Sequence, residues 1–433
     1  MARRKWLFAI ALVFAGIAIP AVALWSAYRQ AGETGRRHYE EQLRLAKEEG
    51  LPTLPSELAL LTRTPENQNA ARRYRQILVD YQKVLDLPRK TPLPKDRWQL
   101  GRIWADRPET LVTALAEVAP FAGVLDELRT ASKLSGCDFK YDLSKGLSLD
   151  FPEFAKLKDL CKILCQSAVL EALDGNWNAA TDDLLAVARM SKHLRDQPFV
   201  IAGLVSVSFR SMAESAAWQI AQSRPEEPAF VLADRLVQEL GPPPSLRREI
   251  GSDVVALRAD ADGGRPPPRL EDVPDPTMGI PALRYEAFAA CIELVVRQHK
   301  AAMADPEYGP QAKARLEQVE AWADERKDLA HVIASAFAST TPMTIHYFSV
   351  SEGKVRALRA GVALLRARAQ DGRFPDALPD MGKDGIDPLA DQPWFYRREG
   401  DGFRLESTVK RKVGGKDVPE VYLLFPRRAP KDK

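Results

Sequence analysis

The sequence predicts a mainly α-helical chain with an N-terminal transmembrane helix, an irregular body of α-helical hairpins and a small C-terminal α+β module. The first observation is an apolar run from Trp6 to Tyr28 that contains no charged residue. The second is that apolar residues recur every three or four positions through most of the body, which is the period of an amphipathic helix. The third is a helix pattern followed by short strand patterns around a glycine turn, between 350 and 407.

Composition places the chain among globular proteins and argues against a nucleic-acid partner. A hydrophobic fraction of 45% and a charged fraction of 28% over 433 residues suit two or three folded regions. The 62 basic and 59 acidic residues give a net charge of only +3, whereas nucleic-acid binding needs a marked local excess of Lys and Arg. The basic run from Arg397 to Lys433 lacks the interleaved aromatic platform that single-strand binding needs. We therefore expect no nucleic-acid partner.

The N-terminal segment predicts a single membrane anchor. Arg3, Arg4 and Lys5 precede the apolar run, which would form a helix of about 34 Å, enough to cross the hydrocarbon core. Basic residues before a transmembrane helix keep the N-terminus in the cytoplasm. We expect a single-pass protein of the cytoplasmic (inner) membrane, whose main body after Arg29 is extracytoplasmic, that is, periplasmic in a cell with two membranes.

A cleavable signal peptide is the alternative for the same segment. Pro20 can end a shorter apolar stretch, and Ala21-Val22-Ala23 has the small-x-small form of a site cleaved after Ala23. Apolar residues continue beyond that site to Ala27, where a mature N-terminus would usually turn polar. This favours the uncleaved anchor, and both alternatives export the body.

The patterns divide the chain into four regions. They are a transmembrane anchor at 1–29, a stalk helix at 30–50, a helical body at 51–345 and a C-terminal helix with a small β-sheet at 346–433. Helical spacing of apolar residues predicts helices at 67–87, 109–130, 152–174, 177–194, 198–222, 282–304, 310–338 and 350–371. Proline and glycine near 262–281 predict a long loop within the body.

The four cysteines leave two alternatives open. Cys161 and Cys165 lie four residues apart on the apolar stripe of a predicted helix, which is typical of buried free thiols. A disulfide from Cys137 to Cys161 or Cys165 is the other alternative, since an exported chain can form one. No second Cys or His pair stands at ligand spacing, so we expect no zinc site and no other metal or cofactor.

The helix predicted from Pro198 to Gln222 is apolar nearly all round and is therefore expected to be central and buried. Arg210 and Glu214 lie four residues apart on it. They form either a structural ion pair or the polar part of a pocket. No catalytic motif accompanies them. Ser351 to Lys354 fits S-x-x-K, but the partner motifs of that active site are missing.

The two helices around residue 175 resemble one tetratricopeptide hairpin. The residues that carry the likeness are Ala172, Gly175, Asn176, Trp177, Ala180 and Ala188. The likeness covers about 35 residues, and no second copy follows at the period of a repeat array. The resemblance implies a helical-hairpin geometry and no named repeat protein.

The C-terminal segment is similar to the globular part of type II secretion major pseudopilins. The residues that carry the likeness are Asp371 to Pro375, Leu378, Asp387-Pro388, Pro393, Tyr396-Arg397, Gly402-Phe403, Leu405 and Ser407. The resemblance implies a helix with a small antiparallel sheet against it. One strand is expected at 394–396, a turn at 400–402, a return strand at 403–405 and a third strand within 418–425.

The departures from pseudopilins limit what the resemblance implies. The membrane segment has neither the Gly-Phe processing junction nor the glutamate that follows it in that family. The residues after the final family strand, TVKRKVGGKD, are not the acidic calcium loop, so calcium is not expected. Asp384, Asp387 and Asp391 are expected to be loop and turn residues rather than a cation site.

The whole layout resembles a broad group of uncharacterised exported bacterial membrane-anchored proteins, a resemblance that implies architecture but no activity. The sequence favours a non-enzymatic scaffold or protein-interaction module with an unidentified protein partner. One alternative is a component of a type II secretion or pilus-like assembly. The other is a ligand-binding protein or enzyme with a pocket in the helical body.

Overall fold

A computed structural model describes residues 2–87, 108–263, 281–338, 341–413 and 415–426. Side chains are not described for residues 2–20, 108–110, 281–283 and 336–338. The described chain is mainly helical and ends in a small antiparallel sheet module, as predicted. Its α-helices are α1 (Ala2–Glu48), α2 (Pro55–Thr62), α3 (Ala70–Asp86), α4 (Pro108–Val118), α5 (Ala122–Ser132), α6 (Pro152–Asp174), α7 (Trp177–Arg195), α8 (Val200–Ser223), α9 (Glu227–Leu240), α10 (Leu246–Glu249), α11 (Gly251–Asp262), α12 (Pro281–Met303), α13 (Pro310–Asp324), α14 (Leu329–Ala338) and α15 (Thr341–Asp371).

Helix α1 runs without interruption through the predicted anchor and the predicted stalk. Its C-terminal part buries a stripe at helical spacing, formed by Gly35, Tyr39, Gln42 and Ala46. This stripe packs on α12, and the rings of Tyr39 and Tyr285 lie 5.5 Å apart. Residues 21–31 are exposed on every side of the helix. The C-terminal part of α1, within the predicted stalk, therefore packs against the helical body.

The described part of the chain contains no helix with a continuous apolar stretch of membrane-spanning length. Most of the predicted anchor, residues 6–20, lies among the side chains that are outside the description.

Helices α6 to α9 pack on one another and form the centre of the largest core. Gly175 ends α6 in the left-handed conformation, with φ of 87°, which glycine adopts without steric cost. Its N–H bonds to the carbonyl of Ala172, and α7 then folds back along α6. Helix α8 is buried along most of its length, as the sequence predicts.

Two of the predicted helices are each divided in two, and in these places the prediction is wrong. The segment 109–130 breaks at a 3-10 turn, Ala119–Phe121, because Pro120 has no N–H to continue the helical bonds. The segment 310–338 breaks before α14, where the Asp328 carboxylate accepts the backbone N–H of His331 at 3.1 Å. That bond is an N-terminal cap and starts a new helix.

The C-terminal module consists of α15 and three short antiparallel sheets. Its strands are β1 (Ile386–Asp387), β2 (Gln392–Pro393), β3 (Phe395–Glu399), β4 (Gly402–Glu406), β5 (Lys410–Val413), β6 (Lys416–Pro419) and β7 (Tyr422–Phe425). The main sheet has the order β3-β4-β7, with Tyr396 opposite Leu405 and Leu405 opposite Leu423. The hairpin and the third strand follow the prediction, whereas the β5-β6 hairpin was not predicted.

One predicted boundary differs from the structure, and one predicted loop falls mostly outside the described residues. The boundary at 345/346 falls inside α15, which begins at Thr341, so the C-terminal helix is longer than the pattern indicated. The loop predicted near 262–281 lies almost entirely outside the described residues.

Candidate functional site

Arg210 is fully buried and binds backbone carbonyls instead of a carboxylate. Its Nη1 donates to the carbonyl of Leu240 at 2.8 Å, its Nη2 to that of Gly241 at 3.2 Å, and its Nε to Ser351 Oγ at 2.9 Å. Pro242 to Pro244 follow this turn, and prolines have no N–H with which to form a regular backbone ladder. Arg210 thus holds the end of α9 and the proline segment in place.

Glu214 lies one turn further along α8 and is also buried. The two side chains, both in the described part of the chain, form no ion pair, because the Arg210 nitrogens are taken up by Ser351 and the carbonyls after α9. Both Glu214 oxygens lack a hydrogen-bond partner among the described residues. Desolvation raises the pKa of Glu214 to about 7, against the opposing attraction of Arg210 and Lys354. Neither Arg210 nor Glu214 lines a cavity described below.

All four cysteines are buried free thiols. The disulfide between Cys137 and Cys161 that the sequence left open is therefore absent from the structure, as is one to Cys165. Instead, Cys161 Sγ lies 3.9 Å from Met190 Sδ on α7. Burial raises the pKa of all four thiols, so the reactive thiolate form is suppressed.

Of the three aspartates expected in loops and turns after α15, Asp391 lies in a turn and Asp384 in a 3-10 turn, whereas Asp387 is the last residue of β1. Asp387 accepts the N–H of Leu389 at 3.0 Å and the hydroxyl of Ser407 at 2.6 Å. Asp384 pairs with Arg359 at 2.9 Å, and Asp391 has a positive φ of 55°. Within the described residues, no group of three or more His, Cys, Asp or Glu side chains is arranged to hold a metal ion.

The structure instead contains an apolar cavity between the N-terminal half of α8, the start of α11 and a 3-10 segment, Leu143–Ser148. Its volume is about 320 Å³, within the range of small-molecule sites. The apolar part of its lining consists of Leu58, Leu143, Leu147, Leu149, Phe151, Phe199, Val200, Ile201, Leu204, Val255 and Ala256. Ile201 is 44% exposed, so the cavity is open to solvent on that side.

Two local features hold the cavity wall in place. Gly146 has φ of 58°, and a Cβ there would lie 2.0 Å from Asp260 Oδ1, so only glycine lets the 3-10 segment approach α11. Asp260 in turn accepts the N–H of Leu147 at 3.1 Å. On the other side, the rings of Phe151 and Phe199 meet edge to face at 5.1 Å. The cavity therefore has a braced wall.

Of the described residues that line the cavity, Asp253 is the one with an ionisable side chain, and Ser252 and Thr344 are the other polar residues. It forms no ion pair with any described residue. Desolvation by the apolar walls raises the pKa of Asp253 to about 7, and a hydrogen bond with Ser252 acts in the opposite direction. Such a carboxyl offers a negative charge or a hydrogen bond to a ligand that binds in the cavity.

Glu249 lies four residues before Asp253, at the end of α10, and is fully buried. Its carboxylate faces Gly203 of α8, where a Cβ would lie 2.1 Å from Glu249 Oε1. Within the described residues neither oxygen has a hydrogen-bond partner. Desolvation raises the pKa of Glu249 far above its usual range, Arg248 opposes this effect, and Asp253 and Glu307 each add a smaller increase. A second unpaired acid thus stands close to the cavity.

The sequence did not indicate this cavity, because its lining comes from five separate parts of the chain and its one acid is a single aspartate in an ordinary helix. The available signal was Glu249 and Asp253 at helical spacing, with an apolar run from Val254 to Leu257 directly after Asp253. Comparison with known proteins adds nothing further, since no family model, no curated protein and no solved structure matches the chain.

Proposed function

We propose that this chain is a membrane-anchored, extracytoplasmic helical protein that binds a small apolar molecule without catalysis. The observation that carries the proposal is the apolar cavity beside α11. Burial of apolar ligand surface contributes about 25 cal/mol per Å², and a braced cavity does not have to be ordered first.

The anchored location rests on α1. Its exposed segment carries apolar side chains on several faces, among them Val22, Leu24 and Trp25, each more than half exposed. These side chains continue the charge-free run that begins at Trp6, and a lipid environment would cover them. Since the same helix docks on α12, the anchor would hold the body in a fixed orientation to the membrane.

The binding proposal is tested on the full chain reconstituted in lipid nanodiscs, with octanol as the probe and isothermal titration calorimetry as the measurement. Ala256→Phe places a ring in the cavity and should abolish saturable binding. Because the cavity is filled in this variant, the octanol taken up by its discs measures partitioning into the lipid alone. Val231→Phe adds the same ring on the exposed face of α9 and should bind octanol like the unaltered chain. Equal binding by all three chains would contradict the proposal.

The anchor is tested separately, by alkaline extraction of cell membranes and by the mass of the N-terminal peptide. An anchored chain stays in the membrane pellet and retains the residues before Leu24. A chain that begins at Leu24 would instead establish cleavage after Ala23. Neither result changes how the octanol experiment is interpreted, because the anchor and the binding function are independent parts of the proposal.

A protein partner is the second candidate function, and a groove of about 620 Å³ along α3 favours it. Arg72 and Arg73 line this groove and are exposed. Within the described residues neither forms an ion pair, whereas Arg75 is held by Glu153 at 2.8 Å. The groove is suited to an acidic protein segment. Crosslinking and mass spectrometry in native membranes should recover a partner that the double variant Arg72→Glu, Arg73→Glu loses.

Membership of a secretion or pilus-like assembly rests on the pseudopilin resemblance alone. The same crosslinking experiment tests this membership, because subunits of such an assembly should be crosslinked to the C-terminal module. Subunits crosslinked to Lys410, Lys412 or Lys416 of the exposed β5-β6 hairpin would support that function. Crosslinks confined to α3 would support the groove.

A further inference from the structure

We propose that the ligand of the apolar cavity is an amphiphilic amine, whose cationic nitrogen pairs with Asp253 while its apolar body fills the space between α8 and α11. The inference rests on the proposed function and adds the chemical class of the ligand. Its basis is that the Asp253 carboxyl, which forms no ion pair with a described residue, lies in an apolar lining. The charges around Asp253 give the second part of the argument.

Among the described residues, none supplies a cation to Asp253. Arg248 forms an ion pair with Asp196 at 3.7 Å and donates a hydrogen bond to the carbonyl of Leu61 at 3.2 Å. Arg258, further along α11, pairs with Asp262 at 3.3 Å. Because a buried charge is costly unless it is paired, an ionised Asp253 leaves a place for a cation that the described part of the chain does not fill.

The acids near the cavity also decide which ligands are excluded. Glu249 lies one turn from Asp253, but burial raises the pKa of Glu249 far above its usual range and keeps that carboxyl uncharged, so Asp253 supplies the negative charge beside the cavity. A fatty acid or another apolar anion would bring a second negative charge beside ionised Asp253 into a poorly solvated space. A neutral alcohol gains the apolar contacts but no ion pair. An amine gains both.

The volume sets the size of the ligand. A cavity of about 320 Å³ holds about ten non-hydrogen atoms, if each takes roughly the 30 Å³ of a water molecule. A single short alkyl chain with one amino group fits this space. The opening beside Ile201, which is 44% exposed, allows a longer chain to extend outward.

The experiment compares three probes of the same chain length: octylamine, octanol and octanoate. They are titrated at pH 8 into the full chain in nanodiscs made of uncharged lipid, with discs of the Ala256→Phe variant as the reference for partitioning. We expect octylamine to bind at least about tenfold more tightly than octanol, and octanoate to bind most weakly. Asp253→Asn keeps the shape of the side chain and should reduce octylamine affinity to the level of octanol while leaving octanol affinity unchanged.

The control substitution is Asp182→Asn, at an exposed position of α7 and outside the lining, which should keep the preference for the amine. Equal affinities for octylamine and octanol, or an amine preference that survives Asp253→Asn, would overturn the inference and leave the apolar binding function standing. Absence of saturable binding by all three probes would contradict the proposed function itself, and the inference with it.

Discussion

The indole of Trp218 on α8 contacts the ring of Phe403 on β4, with ring centroids 6.1 Å apart and planes at 61°. Phe403 also packs against Phe374 and Phe425, at 5.1 and 6.2 Å. The buried face of the sheet is therefore continuous with the core of the helical body. The C-terminal module packs on α8 as well as on its own helix α15, so the two parts should unfold together.

Gly361 on α15 lies at this junction, and its replacement by alanine should destabilise the protein. A Cβ there would lie 2.7 Å from Trp218 Cζ3 and 2.9 Å from Leu423 Cδ1. Overpacking of this kind costs about 1–3 kcal/mol, more than the gain in helix propensity of alanine over glycine. Chemical denaturation followed by tryptophan fluorescence measures the change.

The matched control is Gly123→Ala on α5, where an added Cβ meets nothing within 4 Å. It should leave stability unchanged or raise it by about 0.5 kcal/mol. If Gly361→Ala proves as stable as Gly123→Ala, the tight contact between α8, α15 and β7 is not present in solution.

The helical part of the fold was largely predictable because its signal is local. The apolar stripes of α3, α6 and α7 appear in the sequence at the correct positions. The errors have local causes that periodicity does not register: Pro120 removes an N–H, and the Asp328 cap restarts a helix where the apolar spacing continues. The β5-β6 hairpin was missed because its exposed, charged strands carry no alternating apolar pattern.

The functional site was much less predictable. Spacing on α8 identified Arg210 and Glu214 as a pair, but a single helix cannot reveal that α9 ends beside Arg210 and presents free carbonyls to it. The cavity depends on the separation between α8, α11 and a 3-10 segment that is far away in sequence. Asp253 becomes distinctive only once its apolar surroundings are known.

Arg210→Met should destabilise the protein by about 2–4 kcal/mol, because methionine fills the space but donates no hydrogen bond to Gly241 or Ser351. Arg195 still donates to the carbonyls of Leu240 and Pro242, which limits the loss. Thermal and chemical unfolding measure it. Arg235→Met, at an exposed position of α9, is the control and should change stability by less than about 0.5 kcal/mol. A loss at Arg210 no larger than the loss at Arg235 would contradict the role of Arg210.

Glu214→Gln should make stability less dependent on pH. Burial raises the pKa of Glu214 from 4.5 to about 7, so the folded state binds a proton that the unfolded state has released between these values. The stabilising contribution of the protonated carboxyl is fully present below pH 4.5 and is lost as the pH rises through about 7. Linkage gives a loss on the order of 3 kcal/mol, which the glutamine variant does not undergo.

The measurement is the free energy of unfolding of both chains at several values between pH 4.5 and 8. The curve of the variant should rise relative to that of the unaltered chain as the pH increases. Glu127→Gln, at an exposed position of α5, should leave the shape of the curve unchanged. Parallel curves for the unaltered chain and Glu214→Gln would show that Glu214 does not titrate in this range.

The four cysteines should be unreactive in the folded protein and all reactive after unfolding. Cys161, Cys165 and Cys291 are fully buried and Cys137 is 4% exposed, and their raised pKa values keep them protonated at pH 8. Only an accessible thiolate attacks a chromogenic disulfide reagent and releases its coloured thiolate. The reagent should therefore release no colour from the native chain and four equivalents from the denatured chain under non-reducing conditions. Two equivalents after denaturation would reveal a disulfide, with Cys137 and Cys161 the first pair to map by peptide mass. If the chain is exported, as proposed, it meets an oxidising environment, and four equivalents would then show that burial protects the thiols from oxidation.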